Sequence, residues 1–195
     1  MTEPGRGVAV GPDGLARCPW GASADLLGYH DEEWGRPIRD DSRMFERLCL
    51  EAFQSGLSWL TILRKRENFR AAFLGFDIAA VASFGPADVT RLLADPGIVR
   101  NRAKIEASIQ NAKAALVLPG GLAALVWSHA GDQHKAPVTL ADVPAWTPAS
   151  KALSAQLKRH GFGFTGPVTA YAAMQASGVV NDHLQACAFR DPAVS

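Results

Sequence analysis

The segment from residue 93 to residue 105 reads LADPGIVRNRAKI and decides the fold. Its Pro96-Gly97 pair favours a tight turn. The run that follows, from about residue 100 to 118, repeats apolar residues at helical spacing, among them Ile105 and Ile109. Upstream, Pro86 suits the first turn of another helix. The segment therefore predicts two helices joined by a short hairpin.

Such a hairpin offers a way to bind DNA. Gly97 would let the backbone turn tightly and approach a phosphate. Amides from Ile98 onward, at the N-terminus of the next helix, would bind that phosphate without reading sequence. Arg100 and Lys104 add positive charge nearby. A Pro-Gly turn by itself is more often a plain connector, so this segment alone leaves a DNA-binding hairpin and a simple link both open.

Helical signals continue on both sides of the hairpin. Asp41 or Ser42 can cap a helix that ends near Gly56, Ser58 can cap the next helix, and Asp77 can open a short one. Further helices fit residues 149–160, 167–177 and roughly 181–188, and no alternating strand pattern stands out. We predict an all-α fold.

The bulk composition fits one soluble domain. The chain has 195 residues, of which 48% are hydrophobic and 20% charged, so it can form a sizeable core. We predict a flexible N-terminal extension over residues 1–14, a single domain over residues 15–190 and a tail over residues 191–195. The net charge of +1 does not by itself indicate a nucleic-acid binder.

The chain shows no sign of export or of membrane insertion. Three cysteines make an odd count, which favours a reducing compartment over a disulfide framework. The first 14 residues contain no apolar segment of the secretory type, and no run approaches the ~18 apolar residues of a membrane helix. We therefore predict a cytoplasmic protein without a membrane partner.

Four metal-ligating side chains stand in two pairs near opposite ends of the chain, Cys18 with His30 and His183 with Cys187. On the predicted helix over residues 181–188, the i, i+4 spacing of the second pair would place both side chains on one face. Two cysteines and two histidines form a closed tetrahedral shell, which suits one structural zinc ion. The alternative is a buried cysteine beside two surface histidines. Cys49, in mid-helix, is predicted to be plain core.

A catalytic zinc site is a weaker hypothesis. His30-Asp31-Glu32 matches the H-x-E half of the nucleobase deaminase signature. The P-C-x-x-C half is absent from the chain. The sequence therefore favours a structural ion.

A pocket is indicated by one carboxylate and several aromatic residues. Glu51 lies on a predicted helix among apolar neighbours, where a solvent-facing side chain is the more common outcome. Trp20 and Trp34 flank the first ligand pair, with Tyr29 between them, and Trp59 follows the serine that can cap the next helix. These rings either pack a core and a metal shell or form a box that stacks a flipped base.

Together these stretches resemble the 3-methyladenine DNA glycosylase I family of the helix-hairpin-helix DNA glycosylases. The likeness covers roughly residues 16 to 190 and is specific, because both ligand pairs, the glutamate block and the hairpin occur in family order. The matching stretches are residues 18–20, 29–35, 50–59, 64–69, 97–105, 161–166, 171, 174–176, 180–183 and 187.

The resemblance implies a helical bundle whose N- and C-terminal segments are joined by zinc, and it assigns roles to single residues. Zinc would be bound by Cys18, His30, His183 and Cys187; the base by the Glu51 carboxylate, Tyr29 and Trp59, with Trp20 and Trp34 nearby; DNA by Leu57, Gly97, Ile98, Arg100 and Lys104. Leu57 would fill the gap left by the extruded base. Leu26 and Ala52 depart from the pattern, which often has tyrosine and glycine there.

The resemblance also implies a reaction. It predicts removal of 3-methyladenine from alkylated double-stranded DNA, by a monomer without an obligatory protein partner. Many related glycosylases activate water with an aspartate some twenty residues past the hairpin, but residues 98–131 contain none. Lyase-type relatives place a lysine where this chain has Asn101. We therefore predict a monofunctional hydrolase that leaves an abasic site. The alternatives are a DNA or damaged-base binder without turnover and a structural zinc protein with another partner.

Overall fold

The structure, a computed structural model, describes residues 7–131 and 135–190 and is mostly helical, which confirms the predicted class. A two-residue hairpin pairs Ala9 with Arg17 and Val10 with Ala16 in antiparallel register. Within the described ranges the elements are β1 (Ala9–Val10), β2 (Ala16–Arg17), a π-helical turn (Tyr29–Glu33), α1 (Asp41–Gln54), α2 (Trp59–Ala72), α3 (Ile78–Ala82), α4 (Pro86–Ala94), α5 (Arg102–Leu116), α6 (Leu122–Trp127), α7 (Pro148–Arg159) and α8 (Pro167–Ala176), with short 3-10 turns at Pro19–Ala22, Leu74–Phe76 and Leu140–Asp142.

Helix starts follow local capping chemistry. Ser58 Oγ accepts from the Thr61 amide at 3.2 Å and Asp77 Oδ1 from the Ala80 amide at 2.7 Å, as predicted. The N-cap of α1 is Asp40, so the predicted caps, Asp41 and Ser42, lie one and two residues too late. Asp41 instead accepts from the Ala123 amide at 2.7 Å and so joins the starts of α1 and α6. Helix α6 itself is not among the predicted elements.

The predicted helix over residues 181–188 is wrong, since this segment forms a series of turns. Asn181 explains the difference. Its amide nitrogen donates to the Arg190 carbonyl at 2.8 Å, and its side-chain oxygen accepts from the His183 amide at 3.2 Å. Bonds of this kind from a short polar side chain compete with helix formation.

The N-terminal residues differ from the predicted flexible extension. Val8 is only 1% exposed and packs with Cys18, Leu184 and Cys187 in a small apolar cluster. Strand β1 also lies within the predicted extension and pairs with β2. Residues 7–14 are therefore attached to the domain. Residues 1–6 and the predicted tail at 191–195 lie outside the described residues.

Helix α1 lies at the centre of the bundle and contacts α2, α5, α6 and α8. Its inward face carries Phe45 and Phe53, which pack with Phe69, Phe73 and Phe76 in a fully buried aromatic core. Cys49 is also buried, as predicted. This packing fixes the C-terminal half of α1, which carries Glu51. In the described part of the chain, no helix is long and apolar enough to cross a membrane.

Candidate functional site: an aromatic pocket beside a cysteine–histidine cluster

A cavity of about 350 Å³ opens between α1, the N-terminal segment, the start of α2 and α8. This volume is in the range of pockets that hold small ligands. Four predicted aromatic residues and the predicted carboxylate all line it. The lining residues are Trp20, Tyr29, Trp34, Glu51, Gln54, Trp59, Leu140, Val143, Ala172, Gln175 and Asp182.

The aromatic walls form two contacting pairs. The ring centroids of Tyr29 and Trp59 lie 5.1 Å apart at an interplanar angle of 40°, and those of Trp20 and Trp34 lie 4.9 Å apart, edge to face. The buried indole N–H of Trp59 has no hydrogen-bond partner among the described residues. An unpartnered donor in a pocket wall is costly unless a ligand or water satisfies it.

Glu51 is buried at 6% exposure, although its sequence context alone favours a solvent-facing side chain. Burial raises the pKa of its carboxyl to about 7, and the charge of Arg47 opposes the shift. A carboxylate withdrawn from water in this way is ready to pair with a cation that enters the pocket.

Sequence reasoning missed Arg47. This residue is 7% exposed. Its Nη1 donates to Tyr29 Oη at 3.1 Å, and its Cζ lies 5.4 Å from the Tyr29 ring centroid and 5.3 Å from that of Trp59. The signal that could have found it is its position four residues before Glu51, on the same helix face.

The polar floor of the pocket was also missed. Asp182 is 3% exposed and accepts hydrogen bonds from Tyr171 Oη at 2.6 Å and from Gln175 Nε2 at 2.7 Å. Burial, followed by the bond to Asp182, raises the pKa of the Tyr171 phenol, which therefore stays a donor. Leu140 and Val143 add an apolar edge from the segment between α6 and α7.

Beside the pocket, the structure brings Cys18, His30, His183 and Cys187 together. All four are buried, and their ligand atoms lie within 4.8 Å of one another. Cys187 Sγ lies 3.5 Å from His183 Nδ1 and 3.6 Å from His30 Nε2, and Cys18 Sγ lies 3.9 Å from His183 Nδ1. The hydrogen bonds from Cys18 and then from the two imidazoles lower the pKa of Cys187. A thiolate is the form that a metal binds.

Neighbouring groups orient the His30 imidazole. His30 Nδ1 lies 2.7 Å from Asp31 Oδ1, and Arg17 holds that carboxylate through Nε at 3.0 Å and Nη2 at 2.8 Å. A Cβ on Gly21 would lie 2.3 Å from His30 Cγ, so only glycine fits against this ring. Carboxylate-bound histidines with a free second nitrogen are typical of metal sites, so the four residues fit a metal ion.

The cluster and the pocket share their backbone. Tyr29 and His30 are consecutive in the π-helical turn, a form that is frequent at functional sites. His183 Nε2 lies 3.2 Å from the Trp34 carbonyl oxygen, and Asp182 precedes His183. Anything that orders the cluster therefore also positions three residues of the pocket lining.

The hairpin is present but differs in detail from the prediction. The backbone of Gly97 is not left-handed. Glycine is needed there because a Cβ would lie 2.9 Å from Asp95 Oδ1 and 3.1 Å from Asn68. The Gly97 amide donates to Asp95 at 2.7 Å. The Ile98 side chain is buried, whereas Arg100 is exposed just before α5.

Lys104 does not present its charge to solvent. The structure therefore does not favour the predicted contact between Lys104 and DNA. Lys104 is 8% exposed, and its Nζ donates to the Phe53 carbonyl at 2.9 Å and to the Ser55 carbonyl at 2.6 Å. Burial lowers its pKa. The ammonium instead caps the C-terminal end of α1, where the helix dipole favours a positive charge.

Leu57 lies in the turn between α1 and α2 and is 43% exposed. Gly56 precedes it with a φ of +85°, a conformation that other residues rarely adopt. The turn is tied to α5 through the Ser55 carbonyl. A large apolar side chain is therefore presented to solvent from a fixed backbone.

Comparison with known proteins gives consistent matches. The model of the family described as Methyladenine glycosylase matches residues 20–191. DNA-3-methyladenine glycosylase 1 of Escherichia coli (strain K12) is 45% identical over 179 residues, which are 89% of this chain and 96% of that protein. A crystal structure of a 3-methyladenine DNA glycosylase I superposes with a TM-score of 0.84 at 44% identity and covers 88% of this chain and 98% of the other. A single-residue variant of a 3-methyladenine DNA glycosylase I, in complex with 3-methyladenine, superposes with a TM-score of 0.84 at 34% identity, over 90% of this chain and 97% of the other.

Proposed function

The chain belongs to the methyladenine glycosylase family and is a DNA glycosylase that acts on 3-methyladenine in alkylated DNA. From that premise we propose that the aromatic pocket takes up the extruded base and that Glu51 is the carboxylate that recognises it. The observation that carries this proposal is a buried carboxylate in a cavity walled by four aromatic rings.

The charge of the substrate explains why a buried carboxylate suits it. Alkylation at N3 places a positive charge on adenine, whereas unmodified adenine is neutral. Glu51 accepts a hydrogen bond from the cationic base and complements its charge, and both effects are stronger inside a pocket than in water. Neutral adenine gains less from the same group, so discrimination rests on charge as well as on shape.

The rings of Tyr29 and Trp59 add a second preference for the cation. A positively charged π system gains more from an aromatic face than a neutral one does. Trp20 and Trp34 complete the box. The buried indole N–H of Trp59 supplies a donor for an acceptor atom of the base.

The base departs without help from a general acid. When the N9–C1′ bond breaks, the electron pair moves to the cationic base, which leaves neutral. Water then bonds to C1′ and releases a proton, so the product is an abasic site. Extrusion and positioning are the work left for the protein. Because the lyase position is Asn101, we propose hydrolysis without a covalent intermediate, and we propose that the chain acts as a monomer.

Release of free base from methylated duplex DNA tests the activity directly. We expect chromatography to show 3-methyladenine and no 7-methylguanine, and the DNA strand to break only after alkali. Salt-dependent DNA binding with no base released by well-folded protein would indicate a non-catalytic binder. Strand cleavage without alkali would contradict the monofunctional mechanism.

We propose that the hairpin and the turn at Leu57 form the DNA-contacting face. The exposed guanidinium of Arg100 and the N-terminus of α5 lie next to each other in the hairpin. The Gly97 amide is bound to Asp95, so Gly97 contributes the close approach of its backbone, and Ile98, whose side chain is buried, contributes its backbone amide.

The two basic residues of the hairpin should behave differently. Arg100→Ala is expected to reduce the slope of log affinity against log salt concentration by about 1, because the variant cannot neutralise one of the phosphates. Lys104→Met should leave that slope unchanged and destabilise the fold by about 1–3 kcal/mol, since it removes the donor that binds the Phe53 and Ser55 carbonyls. Fluorescence anisotropy at several salt concentrations and thermal melts separate the two effects. An equal fall in slope for both variants would restore Lys104 as a phosphate-binding residue.

Leu57→Ala is expected to slow base release by about tenfold while the protein stays folded. The truncated side chain no longer fills the gap in the stack, and the apolar surface that it fails to bury against the DNA is worth about 1.5 kcal/mol. Single-turnover release measures the effect. Leu116→Ala, which truncates a leucine that is 54% exposed at the end of α5, is the matched control. Equal rates for both variants would remove Leu57 from the mechanism.

We further propose that Cys18, His30, His183 and Cys187 hold one structural zinc ion. Two thiolates and two imidazoles leave no open position on a tetrahedral ion, so the site would not take part in the chemistry. It would tie the N-terminal segment to the turns after α8, two segments with little core of their own.

A further inference from the structure

Arg47 is a buried cation next to the pocket lining. No step of the proposed reaction uses it. Its guanidinium is withdrawn from water and makes no salt bridge within the described ranges. Its compensation comes from the Tyr29 hydroxyl and from the ring faces of Tyr29 and Trp59. A buried guanidinium is costly without compensating partners. A functional role would account for its burial at this position.

Glu46, next to Arg47 in sequence, pairs with Arg70, and the other carboxylate near Arg47 on α1 is Glu51, four residues later. The i, i+4 spacing puts both side chains on one helix face. The charge of Arg47 lowers the pKa of Glu51 against the larger effect of burial. Arg47 does not line the cavity, whereas Tyr29, Trp59 and Glu51 do.

A positive charge near the pocket has two opposite effects: it stabilises the Glu51 carboxylate, and it repels a cationic base. A cation in the pocket itself would repel the cationic base. Arg47 contacts the rings of Tyr29 and Trp59 without lining the cavity, and its charge still acts on the carboxylate. Because its Nη1 donates to the Tyr29 hydroxyl, the guanidinium is fixed in this position.

We propose that Arg47 is a positioning residue that keeps the Glu51 carboxylate ionised and available to the base at neutral pH. The proposal rests on the proposed role of Glu51. It assigns the ionisation of that carboxylate to one residue, four positions earlier on the same helix.

Other ionisable groups near Glu51 do not substitute for Arg47. Tyr29 faces it from the π-helical turn, and burial raises the pKa of that phenol, so it stays neutral. Asp182 lines the same cavity from the C-terminal segment and has the same charge sign as Glu51. Lys104 reaches the end of α1 from α5, where it is bound to carbonyls. Glu33 and Arg66, behind Tyr29, pair with each other.

The test is the pH dependence of single-turnover base release from methylated duplex DNA, between pH 5 and pH 9. The wild-type rate should rise through the ionisation of Glu51. In Arg47→Met that rise should move to higher pH by about one unit. Release is then about fivefold slower than wild type at pH 7 and nearly equal at pH 9. Arg47→Lys, which retains the charge, should restore the wild-type midpoint.

Two further variants make the outcomes distinct. In a Glu51→Gln background, Arg47→Met should cause no shift in the profile, because the group that titrates is gone. A rate for Arg47→Met that is lower by one factor at every pH would show a purely structural role and overturn the proposal. Full activity of Glu51→Gln would instead contradict the proposed role of Glu51. If Arg47→Met does not fold, Arg47→Lys and Arg47→Gln carry the test, and coincident midpoints for those two variants would overturn the proposal.

Discussion

Glu51→Gln is expected to reduce single-turnover release of 3-methyladenine by about 100-fold, with DNA affinity changed by less than about threefold. The amide has nearly the same shape but carries no charge, so the variant cannot form the charge-assisted bond to the cationic base, which is worth ~3 kcal/mol. Phosphate interactions dominate DNA affinity and lie elsewhere. Chromatography of released base and anisotropy of DNA binding measure the two quantities.

Glu46→Gln is the matched control for this prediction. It makes the same substitution on the same helix, at a residue that pairs with Arg70 and does not line the pocket. We expect it to retain near wild-type release. If both variants lose activity equally, helix stability rather than the pocket carboxylate is responsible.

The stability of Glu51→Gln should also differ from that of wild type in a pH-dependent way. The folded-state pKa of Glu51, about 7, lies above the ordinary value of 4.5. A group with a raised pKa contributes stability below pH 4.5, and this contribution is lost as the pH rises through 7. Glutamine does not titrate, so the variant should melt relatively higher at pH 8 than at pH 4, compared with wild type. An inactive variant that melts in this way is folded, so its loss of activity comes from the missing carboxylate and not from unfolding.

Removal of the proposed zinc ion is expected to lower the melting temperature by about 10 °C. An ion held with its free concentration 1,000-fold above Kd stabilises the folded state by about 4 kcal/mol, and each kcal/mol shifts the midpoint of a domain of this size by about 2–4 °C. Elemental analysis should find one zinc per chain. Calorimetry before and after chelation then measures the change.

Substitutions distinguish the ligands from other cysteines. Cys187→Ser should lose the ion and melt at the temperature of the chelated protein. Cys49→Ala, at a cysteine that is equally buried but outside the cluster, should keep the ion. An unchanged melting temperature after verified metal removal would contradict a structural role. Loss of base release should follow loss of the ion, because Tyr29 and Trp34 lie on the backbone that the cluster orders.

Some features of this protein follow from the sequence alone, because their causes lie within a few residues. Ser58 and Asp77 cap their helices through amides three residues ahead, so local chemistry is sufficient. The order of the motifs identified the family, and the structure brings together the four ligands that it implies. The pairing of His183 with Cys187 survives even though the helix expected to present it is absent.

Other features were decided only by tertiary structure. Glu51 and Lys104 have helical neighbourhoods that do not differ in kind from those of exposed residues, yet both are buried. The charge of Lys104 lies inside because the end of α1, some fifty residues earlier, offers it carbonyls. Arg47 and Asp182 entered the site in the same way, through contacts with Tyr29 and Tyr171. Helix caps and motifs are local and can be read along the chain, whereas burial, and with it the ionisation of a carboxyl, depends on which distant segments exclude water from it.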